Sequence, residues 1–310
     1  MEYKVYKLFF QSAVHFGKQR LESCEYTFCA DTLFSALCKE AVKEGANVLQ
    51  TLIQMVQNGN ICFSDAFPYI GNIYFLPKPI KRIESADNQG DSGKKKAFKK
   101  LKYISAASLD KYLLGVYDFE QTVSMEKLGK AEMKVSAAVR GEEQVLPYRI
   151  YTFSYYENNG LYFIVGYRQK EDLHFVEKLL ESLMFSGIGG KRSAGLGRFT
   201  YKYGSDFPED MIQRLKKEGN CYITLSVSLP REDELKTALE DAEYLLGKRS
   251  GFVASDVYAD SQRKKKDLYV LMAGSCIKNK YQGDVYDVSE PCGKHPVYRY
   301  AKPLFMEVDL

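Results

Sequence analysis

Apolar and polar positions nearly alternate along Lys4–Ser12, where Val5, Tyr6, Leu8, Phe9 and Phe10 are set against Lys4 and Lys7, and this predicts an opening β-strand. A loop, His15–Glu25, follows. From Asp31 the period changes, because Leu33, Phe34, Leu37, Cys38, Ala41 and Val42 recur on one face of a helix. Asp31 stands where an N-cap is wanted, so capping rather than catalysis is expected of its carboxylate. Two extended runs, Ile61–Phe63 and Asn72–Leu76, are punctuated by Pro68, Gly71, Pro77 and Pro79. The pattern then lapses. Ser85–Lys102 runs from Asp-Asn-Gln-Gly-Asp-Ser-Gly into Lys94, Lys95, Lys96, Lys99, Lys100 and Lys102. Ser85–Lys102 reads as a mobile loop. A short helix is expected near Leu109–Leu114, and the stretch 84–146 reads as an insertion, not a domain.

Order returns at Tyr148. The runs Tyr148–Tyr156 and Leu161–Tyr167 are aromatic and β-branched, and the Asn159-Gly160 step between them predicts a hairpin. Glu171–Phe185 carries a helical stripe of Leu173, Val176, Leu179, Leu180 and Leu183. A glycine-rich loop, 187–197, leads into a strand over Arg198–Tyr203. The order is β, α, β-hairpin, α, β, that of the split βαβ or ferredoxin-like fold. A second, looser copy follows: strand Tyr222–Leu229, helix Glu232–Leu246, then strands Gly251–Tyr258, Leu268–Ile277 and Val297–Val308, with its second helix missing or short. The expected class is α+β, two ferredoxin-like (RRM-like) domains in tandem. Residues 1–205 form the first, with the long insertion 84–146; residues 206–310 form the second, degenerate one.

Composition excludes several classes. With 45% hydrophobic and 27% charged residues in 310, cores can form. No apolar run reaches the length of a membrane span, and Met1–Phe10 does not read as a signal peptide, so a cytoplasmic protein with no membrane partner is expected. The seven cysteines are odd in number and contain no C-x-x-C, which fits reduced thiols. Three histidines leave little for a metal site; Cys292 and His295 lack a second pair. No metal or cofactor is expected. The net charge of +4 is mild, so the placement of the positive residues matters more than their sum.

The loop Gly187-Ile188-Gly189-Gly190-Lys191-Arg192-Ser193-Ala194-Gly195-Leu196-Gly197 is the most informative stretch, with five glycines in eleven residues. Glycines let backbone N–H groups approach an anion, Lys191 and Arg192 can neutralise phosphate, and Ser193 adds a hydroxyl. It is neither a P-loop nor a dinucleotide fingerprint, because both follow a strand and open a helix, whereas this loop follows a helix and opens a strand. An extended polyanion suits it better than a mononucleotide. A plain turn has no need of Lys-Arg-Ser among its glycines.

The pattern G-x-G-G-K-R-S-x-G-x-G-x-F resembles the glycine-rich loop of the RAMP superfamily of CRISPR proteins. His15-Phe16-Gly17, Ala30–Leu37, Phe67-Pro68-Tyr69, Phe75–Pro79, Lys248-Arg249-Ser250-Gly251-Phe252 and His295–Tyr298 are similar to the family that caps the guide-RNA 5′ end in type III-A (Csm) effectors. The resemblance implies a subunit that grips the repeat-derived 5′ handle of crRNA. It also implies contact with the large polymerase-like subunit and a backbone RAMP subunit, and with target RNA only indirectly. In such proteins an insertion can wedge against the guide–target duplex; for 84–146 that role and a solvated loop remain equally open.

The candidate RNA-binding residues are therefore His15, Phe16, Gly17, Lys18 and Arg20; Gly187, Gly189, Gly190, Lys191, Arg192, Ser193, Gly195 and Gly197; and Lys248, Arg249, Ser250, Gly251 and Phe252. The last group combines charge with an aromatic for stacking, though a helix C-terminus would also attract its charges. Arg263–Lys266 reads as a solvated hairpin turn, and the 24 tyrosines mostly as core. No catalytic residue is expected. The alternative is a RAMP-type endoribonuclease that processes CRISPR repeat RNA, with His15 as general base for the 2′-hydroxyl.

Overall fold

The computed structural model describes all residues except 19, 83–99, 117–124, 138–144, 155–157, 256 and 310. It is a mixed α/β molecule whose named strand pairs are all antiparallel. The main sheet is ordered β11 (Phe199–Tyr203), β1 (Glu2–Phe10), β10 (Asn159–Tyr167), β5 (Phe67–Ile70), β6 (Ile73–Pro77) and β7 (Tyr103–Ser105). A short strand, β4 (Ile61–Phe63), also pairs with β10. Tyr6 lies opposite Phe163 and stacks on it at 5.3 Å. Strand β10 is buried on both faces, which is why Leu161–Val165 reads as a continuous apolar run.

Each face of the sheet is covered. Tyr6, Leu8, Phe163 and Val165 pack against α1 (Ala30–Glu44), α2 (Ala46–Gln57) and α4 (Lys170–Ser186; α3 is Leu109–Leu113) through Leu33, Phe34, Leu37, Val176 and Leu180. The opposite face, with Val5, Tyr74, Tyr162 and Ile164, packs against Phe207, Met211 and Leu215 around α5 (Glu209–Lys216) and against Ile223 and Met306 of the C-terminal region. Among the described residues no helix is long and apolar enough to cross a membrane.

In the C-terminal region β12 (Tyr222–Thr224) lies between β15 (Cys276–Ile277) and β18 (Phe305–Glu307). Beyond β12, Ser228 exchanges both backbone hydrogen bonds with Leu271 of β14 (Leu268–Leu271), which in turn pairs with β13 (Leu246–Arg249). Strands β16 (Asp284–Asp287) and β17 (Tyr298–Ala301) form a further ribbon.

Several expected elements differ. The hairpin across Asn159-Gly160 does not form: β10 pairs with β1 and β5, while β9 (Val145–Phe153) pairs with β8 (Gly129–Ala137). Gly160 is glycine because a Cβ would collide with the Leu8 carbonyl oxygen and press on the Tyr69 ring. Asn159 is a clip, accepting from the Gly71 amide at 3.2 Å and donating to the Lys127 carbonyl at 2.7 Å. The stretch 84–146 is not a plain loop: β7 extends the main sheet, and the β8–β9 hairpin is tied to Val14 through Tyr151, with Leu128 and Tyr151 in the core. Most of its lysine run falls outside the described residues.

The helix expected over 232–246 shrinks to α6 (Leu235–Ala238). Asp241 has a positive φ of 52°, and Glu243 and Leu246 are drawn into pairing with Cys276 and Leu271. Among the described residues of 251–258 there is no strand; Phe252 makes an isolated bridge to Lys264. The last expected strand splits around Pro303, which has no N–H to donate.

Candidate functional site

Three segments far apart in sequence line one cleft of about 990 Å³ between the main sheet's helical side and the C-terminal region. They are residues 15–17, the glycine-rich loop through Gly187, Gly189, Gly190 and Arg192, and all of 248–252. The loop is clamped onto the segment before β2 (Phe16–Lys18): Gly190 donates its amide to the His15 carbonyl and Gly197 to that of Ala13, each at 2.9 Å. A Cβ on Gly190 would stand 2.7 Å from the His15 ring, and one on Gly197 would strike the Ile188 carbonyl. Close packing thus accounts for these glycines, and two amides expected to face an anion are engaged within the protein.

His15 is 5% exposed. Its Nδ1–H donates to the Arg149 carbonyl at 2.6 Å, leaving Nε2 as the unprotonated nitrogen of the neutral ring. The ring is flanked by Gly17 and Gly190, where side chains would collide with it. Lys191 has a positive φ of 56° and places its ammonium 4.9 Å from the Tyr148 ring centre, while Ser193 lies in the short turn that follows. Lys18 closes β2, and Arg20 is exposed at the start of β3 (Arg20–Glu25); Arg20, Lys191, Ser193, Gly195 and Gly197 are not among the cleft-lining residues.

The other wall is strand, not helix end. Lys248 pairs with Asp267 at 2.6 Å. Arg249 makes a two-pronged contact with Asp31, Nε to Oδ2 at 2.9 Å and Nη2 to Oδ1 at 2.6 Å. Arg299 adds a third bond from Nη1 at 2.7 Å and also reaches the Ser250 carbonyl. Phe252 is half exposed at the rim, with the Lys264 ammonium 5.9 Å from its ring. Gly251 accepts from the Lys265 amide.

Asp31 therefore does not cap α1. The N-cap position is Cys29, and the capping bond comes from Asp65, whose Oδ1 accepts from the Ala30 amide at 2.8 Å and the Val227 amide at 3.0 Å. Both acids join α1 to the C-terminal region. Burial alone would raise Asp31, but the Arg249 charge and hydrogen bonds overcome it and hold the carboxyl at about 2. Burial raises Asp65 to about 6, and its two amide donors offset this only in part.

Sequence reasoning missed the cleft's remaining basic residues: Lys39, Lys78, Lys102, Lys265 and Arg299. Thr32, Ser35 and Lys39 recur at helical spacing along one polar face of α1, a signal that was available. Lys265 is not part of a solvated turn; it is partly buried in the cleft wall.

Comparison with known proteins follows this geometry. Residues 39–200 match the model of the RAMP superfamily, and residues 217–308 match that of the CRISPR Csm4 C-terminal domain. Over 294 residues the chain is 37% identical to the Csm4 protein of Mycobacterium tuberculosis (strain ATCC 25618 / H37Rv), covering 94% of this chain and 93% of that one. It is 33% identical to Csm4 of Streptococcus thermophilus over the full length of both. A crystallised Csm3-Csm4 subcomplex of the type III-A interference complex matches with a TM-score of 0.69 at 21% identity, covering 99% of this chain and 100% of that one. A Csm1-Csm4 cassette with AMPPNP matches at 0.61 and 17%, covering 99% and 98%. These two likenesses are of fold. Two family models on one chain, and relatives above 30% identity along nearly all of it, make this protein a member of the Csm4 family within the RAMP superfamily, a subunit of a CRISPR Csm complex.

Proposed function

We propose that this chain anchors the repeat-derived 5′ handle of crRNA in the cleft, and bridges the large polymerase-like subunit to the backbone subunits of a cytoplasmic type III-A effector without performing catalysis. The observation that carries the reading is the convergence of 15–17, the glycine-rich loop and 248–252 on one cleft whose basic residues outnumber its acids. Arg192 offers phosphate contacts, and half-exposed Phe252 offers a stacking face. The partner reading draws on relatives that were crystallised with Csm3 and with Csm1.

Within this reading the chain is two tandem ferredoxin-like units, 1–205 and 206–310. The first is supported by the order β11-β1-β10-β5 and two covering helices; the second by β13 beside β14, with β12 between the β14–β15 side and β18, though its first helix is a single turn. The β8–β9 hairpin, with Met133 and Val135 exposed, suits a wedge against the guide–target duplex better than a solvated loop does. A non-catalytic role is supported by the enclosure of His15, whose ring is wedged between two glycines and tied to a backbone carbonyl.

The test is binding of handle RNA to the full chain as salt is raised. Lys191→Ala with Arg192→Ala should lower the slope of log affinity against log salt by about one per lost phosphate contact, with the fold retained. Wild-type binding by the double variant removes the glycine-rich loop from the grip. Site-specific cutting of repeat RNA by the isolated protein, lost in His15→Ala, overturns the non-catalytic reading.

A further inference from the structure

One carboxylate, Asp31, faces three cations. Arg249 and Arg299 hydrogen-bond to it, and the Lys265 ammonium lies within their field, yet has no acid at ion-pair distance among the described residues. The neighbouring acids are committed elsewhere, Asp65 to two backbone amides and Asp267 to Lys248. Lys39, on the polar face of α1, lies near Lys265 in the cleft lining. Burial first, and then the Arg299 charge, lower the Lys265 ammonium to about 8, the response of a cation short of counter-charge.

Arg299 is only 5% exposed, and its guanidinium is bonded to Asp31 and to the Ser250 carbonyl. Arg299, Lys265, Lys39 and the Ser35 side chain all line the cleft.

We propose that the cleft floor is an oxyanion site in which Lys265 and Arg299, flanked by Lys39 and Ser35, hold one phosphate group. None of the four belongs to the glycine-rich loop or to 248–252, so the site is a separate subsite. The identification of that phosphate with an RNA backbone group rests on the function proposed above; free inorganic phosphate shares its chemistry. An oxyanion there supplies the counter-charge that Lys265 lacks among the described residues.

Lys265→Met keeps the side-chain stem and removes the charge, and since Lys265 has no ion pair among the described residues the change strands no acid there. Thermal unfolding of the full chain in sodium phosphate against sodium chloride at equal ionic strength reads the site without RNA. Phosphate should raise the midpoint of wild type and of Lys265→Arg, and leave Lys265→Met near its chloride value. Handle-RNA affinity, measured at 50 and 200 mM salt, should fall about threefold further for wild type than for Lys265→Met, the effect of one phosphate contact. Equal phosphate stabilisation of wild type and Lys265→Met overturns the site, whatever the RNA result. A lost phosphate effect with an unchanged RNA salt slope keeps the site and overturns its RNA occupant. Absence of RNA binding by wild type overturns the handle reading, while the phosphate response still decides the site.

Discussion

Asp65 offers a test of how the two halves of the molecule are joined. Its carboxylate is 6% exposed and links the α1 amide of Ala30 to the Val227 amide. Burial lifts it from 3.8 to about 6. Keeping it ionised at pH 7 therefore costs about 3 kcal/mol, at about 1.4 kcal/mol for each pH unit of difference. Asp65→Asn retains an oxygen that can accept both amides and removes the charge. The sign follows from proton binding. Between pH 3.8 and about 6 the folded state holds the proton that the unfolded state releases, so wild-type stability gains as pH falls through 6, and the gain is complete below 3.8. The variant lacks that gain. Urea unfolding at pH 7.5, 6.0, 5.0 and 4.0 should show Asp65→Asn more stable than wild type by about 1–3 kcal/mol at pH 7.5, with the difference vanishing near pH 4. Titrating groups that do not interact with Asp65 cancel in that difference. A difference that stays constant from pH 7.5 to 4.0 refutes the account of a buried, costly carboxylate.

Three further expectations follow from contacts. Asp31→Ala strands Arg249 and Arg299 without their shared acid and should cost about 3–5 kcal/mol in denaturant unfolding at pH 7; a change under 1 kcal/mol would mean that the cluster is dispensable. Phe252→Ala, at a half-exposed ring, should change stability by no more than about 0.5 kcal/mol, yet weaken handle-RNA binding by about 1–3 kcal/mol if a base stacks there; anisotropy titration decides. Gly160→Ala places a methyl against the Leu8 carbonyl and the Tyr69 ring, between strands that cannot part, and should lower stability by about 1–3 kcal/mol in urea.

Much of the main sheet and its helices was legible, because local periods agree there with tertiary packing. Lys170–Ser186 has an apolar stripe that needs no long-range information, and β1 and β10 carry the residues a two-faced sheet demands. Legibility ended where a local signal has more than one physical cause. Asn-Gly is the mark of a tight turn, but Gly160 is glycine because a neighbouring backbone approaches, and Asn159 because two distant backbone groups need a partner. The apolar spacing of 232–246 suits a helix, and pairing with Cys276 and Leu271 overrode it.

The cleft shows the same division more sharply. Its basic segments were visible as residue types, since Lys-Arg beside glycine advertises itself in any linear reading. What each cation does there depends on whether the fold supplies it with an acid, and the acids come from elsewhere: Asp31 reaches Arg249 and Arg299 across 218 and 268 residues of sequence. Arg249, the residue that looks most like a phosphate ligand, is held by a carboxylate, and Lys265, which looks like part of a solvated turn, has no acid at ion-pair distance among the described residues. Both belong to short basic runs, so composition could not rank them. The ranking is made by α1, which carries Asp31 to one side of the cleft and leaves Ser35 and Lys39 on the same wall about one and about two turns on. In a molecule built this way, an arginine paired across the cleft fixes the distance between its walls, and an unpaired lysine on the same floor is what remains to meet a ligand.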